Sequence, residues 1–110
     1  MDQRVQAVIV FMKTNIHRKL SASEIAQSVR LSPAHLRELF KNETGTPLTK
    51  YRRELQLDRA KDLLETTFLS VKEVAAAVGI NGFSHFGKDF ERRYGSKPSE
   101  YAARHRKTTP

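Results

Sequence analysis

The sequence predicts an all-α fold of seven helices, arranged as two helix-turn-helix subdomains joined by a long linker helix. Three observations lead there. One pattern is written twice: Leu20-Ser-Ala-Ser-Glu24-Ile25-Ala26 is matched by Leu69-Ser-Val-Lys-Glu73-Val74-Ala75, and each copy runs into an apolar helix with Phe40 or Phe90 before closing on Gly45 or Gly95. A repeat of this kind marks one structural unit used twice. Apolar residues elsewhere recur at helical spacing, and no stretch alternates as a strand would. Finally, 110 residues with 38% hydrophobic content suit one ordinary domain or two very small ones sharing an element.

The elements follow in order. Val5, Val8, Ile9, Met12 and Ile16 follow i, i+3, i+4 spacing and predict a first helix over 3–16. Ser21 and Glu24 form a capping box, and Leu20 and Ile25 stand where a hydrophobic staple would, so a second helix runs over 22–29. Ser32-Pro33 restarts the chain with an N-cap and a first-turn proline. That third helix reaches about Glu43, and Gly45 stops it. Pro47 opens a fourth helix, whose stripe of Leu48, Tyr51, Leu55, Leu57, Ala60, Leu63 and Leu64 extends to about Glu65. Ser70 with Glu73, and Leu69 with Val74, repeat the box and staple ahead of a fifth helix over 71–78. Gly79 is a turn, a sixth helix covers 83–94, and Pro98 opens a seventh to about Arg106, leaving a frayed tail from Lys107 to Pro110. The subdomains are expected at 1–46 and 67–110, with the linker helix at 47–66.

Each copy meets the steric requirements of a helix-turn-helix. Ala26 and Ala75 let two helices cross closely, and Val29 with Leu31, then Val78 with Ile80, flank the turn. The turn asks for a positive φ, which glycine adopts without steric cost. Gly79 answers in the second copy, whereas Arg30 stands there in the first, implying a mildly strained turn or a different one. The copies align at an offset of 49 through the turn and 50 beyond it, so the second turn holds one extra residue. In the third helix Leu36, Leu39 and Phe40 share the core face, opposite Ala34, Arg37, Glu38 and Lys41. In the sixth, Phe83, Phe86 and Phe90 are expected in the core, opposite Ser84, His85, Lys88 and Arg92. A recognition helix needs this division between a core face and a groove face.

The net charge of +8 favours a polyanionic partner. It gathers at the ends: Arg4, Lys13, Arg18 and Lys19 oppose Asp2 in residues 1–20, and Lys97, Arg104, Arg106 and Lys107 oppose Glu100 in residues 96–110. Charge alone fits solvated surface equally well. With no Cys, disulfides and thiolate metal sites are excluded, which suits a cytoplasmic protein. Four scattered His give no metal-site spacing, and Ser84-His85 has no orienting third group, so no catalytic residue, metal or cofactor is expected. No apolar run approaches the length of a membrane span. His35 and His85 read as structural histidines, with a base or phosphate contact the second reading for His85.

Ser32-Pro-x-His-Leu-x-x-x-Phe40-Lys-x-x-Thr-Gly45 resembles the first helix-turn-helix of the AraC/XylS family of bacterial transcription regulators. Gly79 through Phe86, with Phe90, Gly95, Pro98 and Tyr101, resembles its second motif. The linker Tyr51-x₅-Leu57-x-x-Ala60-x-x-Leu63-Leu64 is similar too. The resemblance spans about residues 5–105. It implies sequence-specific binding of double-stranded DNA and regulation of transcription, often activation, with the third and sixth helices in successive major grooves. A linker of about 19 residues spans about 28 Å, near the roughly 34 Å between equivalent groove positions. Carried over by position, the base-reading residues are Ala34, Arg37 and Glu38, then Ser84, Gly87 and Lys88. Arg37 suits guanine, Ala34 a thymine methyl, Glu38 cytosine, and Lys88 guanine or phosphate. Gly87 offers no side chain, so the first copy is expected to discriminate and the second to contribute mainly affinity.

Phosphate and peripheral contacts are expected at the helix starts Ser21, Ser32 and Ser70, at Lys50 and Arg53, and at Lys41, His85 and Arg92. Departures from the family pattern are Arg52 where an apolar residue is common, and Gln56 and Ala102 where Arg is frequent. The resemblance also implies RNA polymerase as a partner, and an effector or dimerisation domain outside this sequence. Whether the chain is a short member or one part of a longer protein stays open. A different reading of the basic ends is a helical interaction module for an acidic protein such as a polymerase subunit.

Overall fold

The structure, a computed structural model, describes residues 1–106; the tail expected to fray lies outside the described residues. Its seven helices are α1 (Gln3–Thr14), α2 (Ala22–Gln27), α3 (Pro33–Thr44), α4 (Leu48–Thr66), α5 (Val71–Ala77), α6 (Phe83–Tyr94) and α7 (Pro98–His105). Among the described residues there is no strand. The chain divides into two compact units, residues 1–55 and 56–110, with α4 contributing to both.

Several ends fall short of the periodic pattern, for local reasons. α1 stops at Thr14 rather than Ile16 because Asn15 turns back, its backbone N–H and its Nδ2 both donating to the Phe11 carbonyl at 3.1 and 2.9 Å. α2 stops at Gln27 because, after Ser28, the amides bond three residues back, Val29 N–H to Ala26 O and Arg30 N–H to Gln27 O, each at 3.1 Å. These tighter bonds already belong to the turn.

In the first unit α1, α2 and α3 enclose Val5, Val8, Met12, Ile25, Ala26, Leu36 and Phe40, with Leu48 closing the cluster from α4. Tyr51 meets Phe40 edge-on, with centroids 5.1 Å apart, and Leu39 is half-buried at the margin. In the second unit the buried apolar residues include Leu57, Ala60 and Leu64 of α4, Val74 and Ala75 of α5, Val78 and Ile80 beside the turn, Phe86 and Phe90 of α6, and Tyr101 and Ala102 of α7. Phe90 is its centre, touching Phe86, Tyr94 and Tyr101 at 5.9, 4.6 and 5.4 Å.

One member of the expected core is not in it. Phe83 is 53% exposed, although Phe86 and Phe90 on the same stripe are fully buried. Helical side chains tilt toward the N-terminus. At the first helical position the ring therefore reaches past the start of α6, where no preceding turn backs it.

Polar contacts tie the second unit together over long sequence distances. The buried Gln56 donates from Nε2 to the carbonyls of Val78 at 3.1 Å and Gly79 at 3.5 Å. Arg93 Nε donates to Asp58 Oδ1 at 3.0 Å, and the Tyr94 hydroxyl donates to the same carboxylate. Burial would raise the Asp58 pKa, but these donors outweigh it and hold it below its ordinary value. Arg106 Nε donates to the Leu64 carbonyl at 2.8 Å, fastening the end of α7 to the end of α4.

Candidate nucleic-acid interface

The two turns are nearly superimposable in their bonding. In the first, Arg30 N–H donates to Gln27 O at 3.1 Å and Leu31 N–H to Ala26 O at 3.0 Å. In the second, Gly79 N–H donates to Ala76 O at 3.1 Å and Ile80 N–H to Ala75 O at 2.9 Å. The pivot is left-handed in both, with φ of 57° at Arg30 and 76° at Gly79. Of the two expectations for Arg30, a different turn is therefore overturned: arginine adopts the glycine conformation. The extra residue of the second copy, Asn81, falls after the turn and before α6.

The entries into α3 and α6 differ. Ser32 caps α3, its Oγ accepting from the His35 N–H at 3.1 Å, and Pro33 opens the helix. α6 starts from Gly82 with no side-chain cap. A Cβ at 82 would lie 3.1 Å from Cδ2 of His85, so the His85 ring folds back over this glycine.

Beyond the turn, α3 exposes Ala34, Arg37, Glu38 and Lys41, while Leu36 and Phe40 are fully buried. α6 exposes Ser84, His85, Lys88 and Arg92 on the corresponding face. Gly87 is half-buried, yet a Cβ there would meet nothing within 4 Å, so the helix surface is open at that point. Among the described residues no ion pair engages Arg37, Glu38, Lys41 or Lys88. Arg92 reaches Asp89 at 3.8 Å with its side chain 81% exposed, a contact that holds it weakly.

The helix starts expected to meet phosphate are in different states. At α2 the Glu24 N–H donates to Ser21 Oγ at 3.1 Å and the Ser21 N–H to Glu24 Oε1 at 3.4 Å. At α5 the Glu73 N–H donates to Ser70 Oγ at 3.1 Å and the Ser70 N–H to Glu73 Oε1 at 2.9 Å. The Ser70 backbone N–H, then its hydroxyl, hold the Glu73 carboxyl below its ordinary pKa. Both termini thus carry a carboxylate of their own, whereas the start of α3 has none in its first turn. Lys50 is exposed near the start of α4; Arg53 is half-buried and engaged within the protein.

Sequence reasoning identified Gln56 only as a departure from a family pattern. In the structure it holds the carbonyl end of the second turn. Arg52, the other departure on α4, donates from Nη2 to the Arg18 carbonyl at 2.8 Å, bracing the α1–α2 loop. Burial first, and then neighbouring Arg53, lower its pKa.

A helix-turn-helix domain family model matches residues 25–104. An AraC-type DNA-binding-domain regulator from Chromobacterium violaceum superimposes with a TM-score of 0.87 and 31% identity over 97% of this chain and 96% of that one. The chain belongs to the AraC/XylS family. It is a DNA-binding domain of that family of transcription regulators. The DNA-binding domain of the global transcriptional factor AdpA, solved with a target DNA, has a TM-score of 0.86 and 25% identity over 92% of this chain and 91% of that one. The HTH-type transcriptional regulator GlxA of Rhizobium meliloti is 35% identical over 98 residues, 89% of this chain. The chain spans only 30% of that relative's length. Among the described residues no helix is long and apolar enough to cross a membrane, and no three potential ligands gather as a metal site.

Proposed function

We propose that this AraC/XylS domain binds double-stranded DNA sequence-specifically, with α3 and α6 in successive major grooves, and thereby regulates transcription. The observation that carries the reading is the repeated turn. Each copy presents one helix whose inner face is buried and whose outer face is exposed and carries cations, the arrangement a recognition helix requires. On this reading Ala34, Arg37 and Glu38 of α3, and Ser84, Gly87 and Lys88 of α6, face base edges.

Lys41, Arg92 and Lys50 supply peripheral cations for phosphate, joined by Ser32 at the start of α3, where no carboxylate opposes an anion. Arg53 and His85 are the remaining candidates for peripheral contact on this reading. For Ser21 and Ser70 the caps they form are the better supported role, because Glu24 and Glu73 bring negative charge to those ends.

Selection of bound duplexes from a random pool, followed by titration against salt, tests the reading. A defined two-part site, and affinity that falls steeply with salt through counterion release, are expected. Arg37→Ala should cost about 1–3 kcal/mol at one base pair, whereas equal loss on every sequence would make Arg37 a phosphate contact. Absence of duplex binding at low salt would refute the proposal. Activation through contact with RNA polymerase is the further part of the reading, supported by the family resemblance, and is tested by transcription in vitro from a promoter carrying the selected site.

A further inference from the structure

Phe83 is an anomaly of position as well as of exposure. It is the first residue of α6, so it stands at the end of a recognition helix that enters a groove. One turn further along lie Gly87, with open space where a Cβ would be, and then Lys88. The ring lines a cleft of about 310 Å³ together with Val71 of α5 and Pro98 of α7, and the charged residues around it are Lys88, Lys97 and Glu91. An exposed apolar ring at the tip of the helix, bordering the cleft that Ser84 and Lys88 also line, matches the major-groove edge of a thymine, whose 5-methyl is the apolar feature displayed there. In the first copy the same helical position is Pro33, which opens α3 and has no comparable reach.

We propose that Phe83 is a specificity-determining residue of the second motif, packing against a thymine 5-methyl in the major groove. This rests on the DNA-binding reading above. It gives the α6 copy a source of discrimination that Gly87 cannot provide, of apolar rather than hydrogen-bonding kind.

The test uses the whole chain and the duplex recovered by selection. Each thymidine is replaced in turn by deoxyuridine, which removes only the methyl group, and affinity is read by fluorescence anisotropy. At one thymine in the α6 half, wild type should lose about four-fold, the effect of burying one methyl-sized group. Phe83→Ala should bind the thymidine duplex roughly five- to twenty-fold more weakly and no longer distinguish it from the deoxyuridine duplex at that position. Phe83→Leu, which keeps an apolar side chain, should retain most of the dependence. Phe68→Ala, which removes a 79% exposed ring from the α4–α5 loop, should leave it unchanged. The proposal is overturned if the selected site has no thymine in the α6 half, if Phe83→Ala keeps the methyl dependence, or if Phe68→Ala abolishes it equally. If wild type binds no duplex at all, the DNA-binding reading falls first and this inference with it.

Discussion

Replacing Arg30 by glycine should stabilise the first unit, because the arginine holds a backbone conformation that the matching turn assigns to glycine. The two turns share their hydrogen bonds to within about a tenth of an ångström, and both pivots have positive φ, 57° and 76°. Truncation removes little that holds the native state together: the Arg30 side chain is exposed and takes part in no ion pair among the described residues. A left-handed L-residue costs about 1–2 kcal/mol relative to its right-handed form. Glycine removes that cost but loses more conformational freedom on folding, about 0.4–1 kcal/mol in the opposite direction. The balance is a gain of about 0.5–1 kcal/mol. For a unit of this size that corresponds to a rise of roughly 2–8 °C in melting temperature. Thermal and urea unfolding followed by circular dichroism would measure it, with the transition of the first unit assigned by Phe40→Ala, which empties its core alone. The reciprocal Gly79→Ala should destabilise the second unit by about 0.5–1 kcal/mol, from the same two terms with their signs reversed. A neutral or destabilising Arg30→Gly would refute the reasoning: the side chain would then be contributing to the fold, and the strain argument would fail.

Other expected outcomes follow from single contacts. Gln56→Leu deprives the carbonyls of Val78 and Gly79 of their donor and should cost the second unit about 1–3 kcal/mol in chemical denaturation. Ser70→Ala removes the hydroxyl half of the α5 capping box and should cost about 1 kcal/mol, with an upward shift of the Glu73 carboxyl visible by NMR titration. Tyr101→Phe loses the hydroxyl's donation to Glu65 Oε1 at 2.9 Å, worth about 1 kcal/mol. It also changes the alkaline limb. Burial, and then the Glu65 carboxylate, push Tyr101 up to about 12 from 10.0. The neutral phenol is the form the fold favours, so its stabilisation is complete below pH 10 and disappears as pH rises toward 12. The phenylalanine variant should therefore lose stability less steeply across that window.

The helix starts were readable because their signals are local: a serine three residues before a glutamate needs no tertiary partner to make a capping box, and both boxes form. The second turn was readable for the same reason, since Gly79 announces its own φ, whereas an arginine at the matching position left the first turn open until the structure placed Arg30 at φ 57°. Phe83 was misplaced because periodicity fixes the angle of a side chain around a helix, not whether an opposing element reaches that level along the axis. Gln56, Asp58 and Arg106 lay beyond sequence reasoning for another reason. Their partners are backbone carbonyls or residues 22–42 positions away, and no spacing rule connects such pairs.

The two recognition helices therefore differ in kind as well as in degree. α3 is entered through a serine cap and a proline, which satisfy one of the first amides and remove another, and it then offers an arginine and a glutamate that can select bases by hydrogen bonding. α6 is entered through Gly82, with one residue more before it and no side-chain cap, so its first amides remain available to water or to a phosphate oxygen. Its outward side chains include Ser84, His85, Lys88, Glu91 and Arg92, with the aromatic ring of Phe83 at its tip. On the proposed reading, the α3 half-site should tolerate few substitutions at the bases facing Arg37 and Glu38. The α6 half-site should depend on backbone contacts, on salt, and on where its thymines lie. That division arises from the entry residues as much as from the helix faces, since Ser32 occupies in the first copy the amide that Gly82 leaves free in the second.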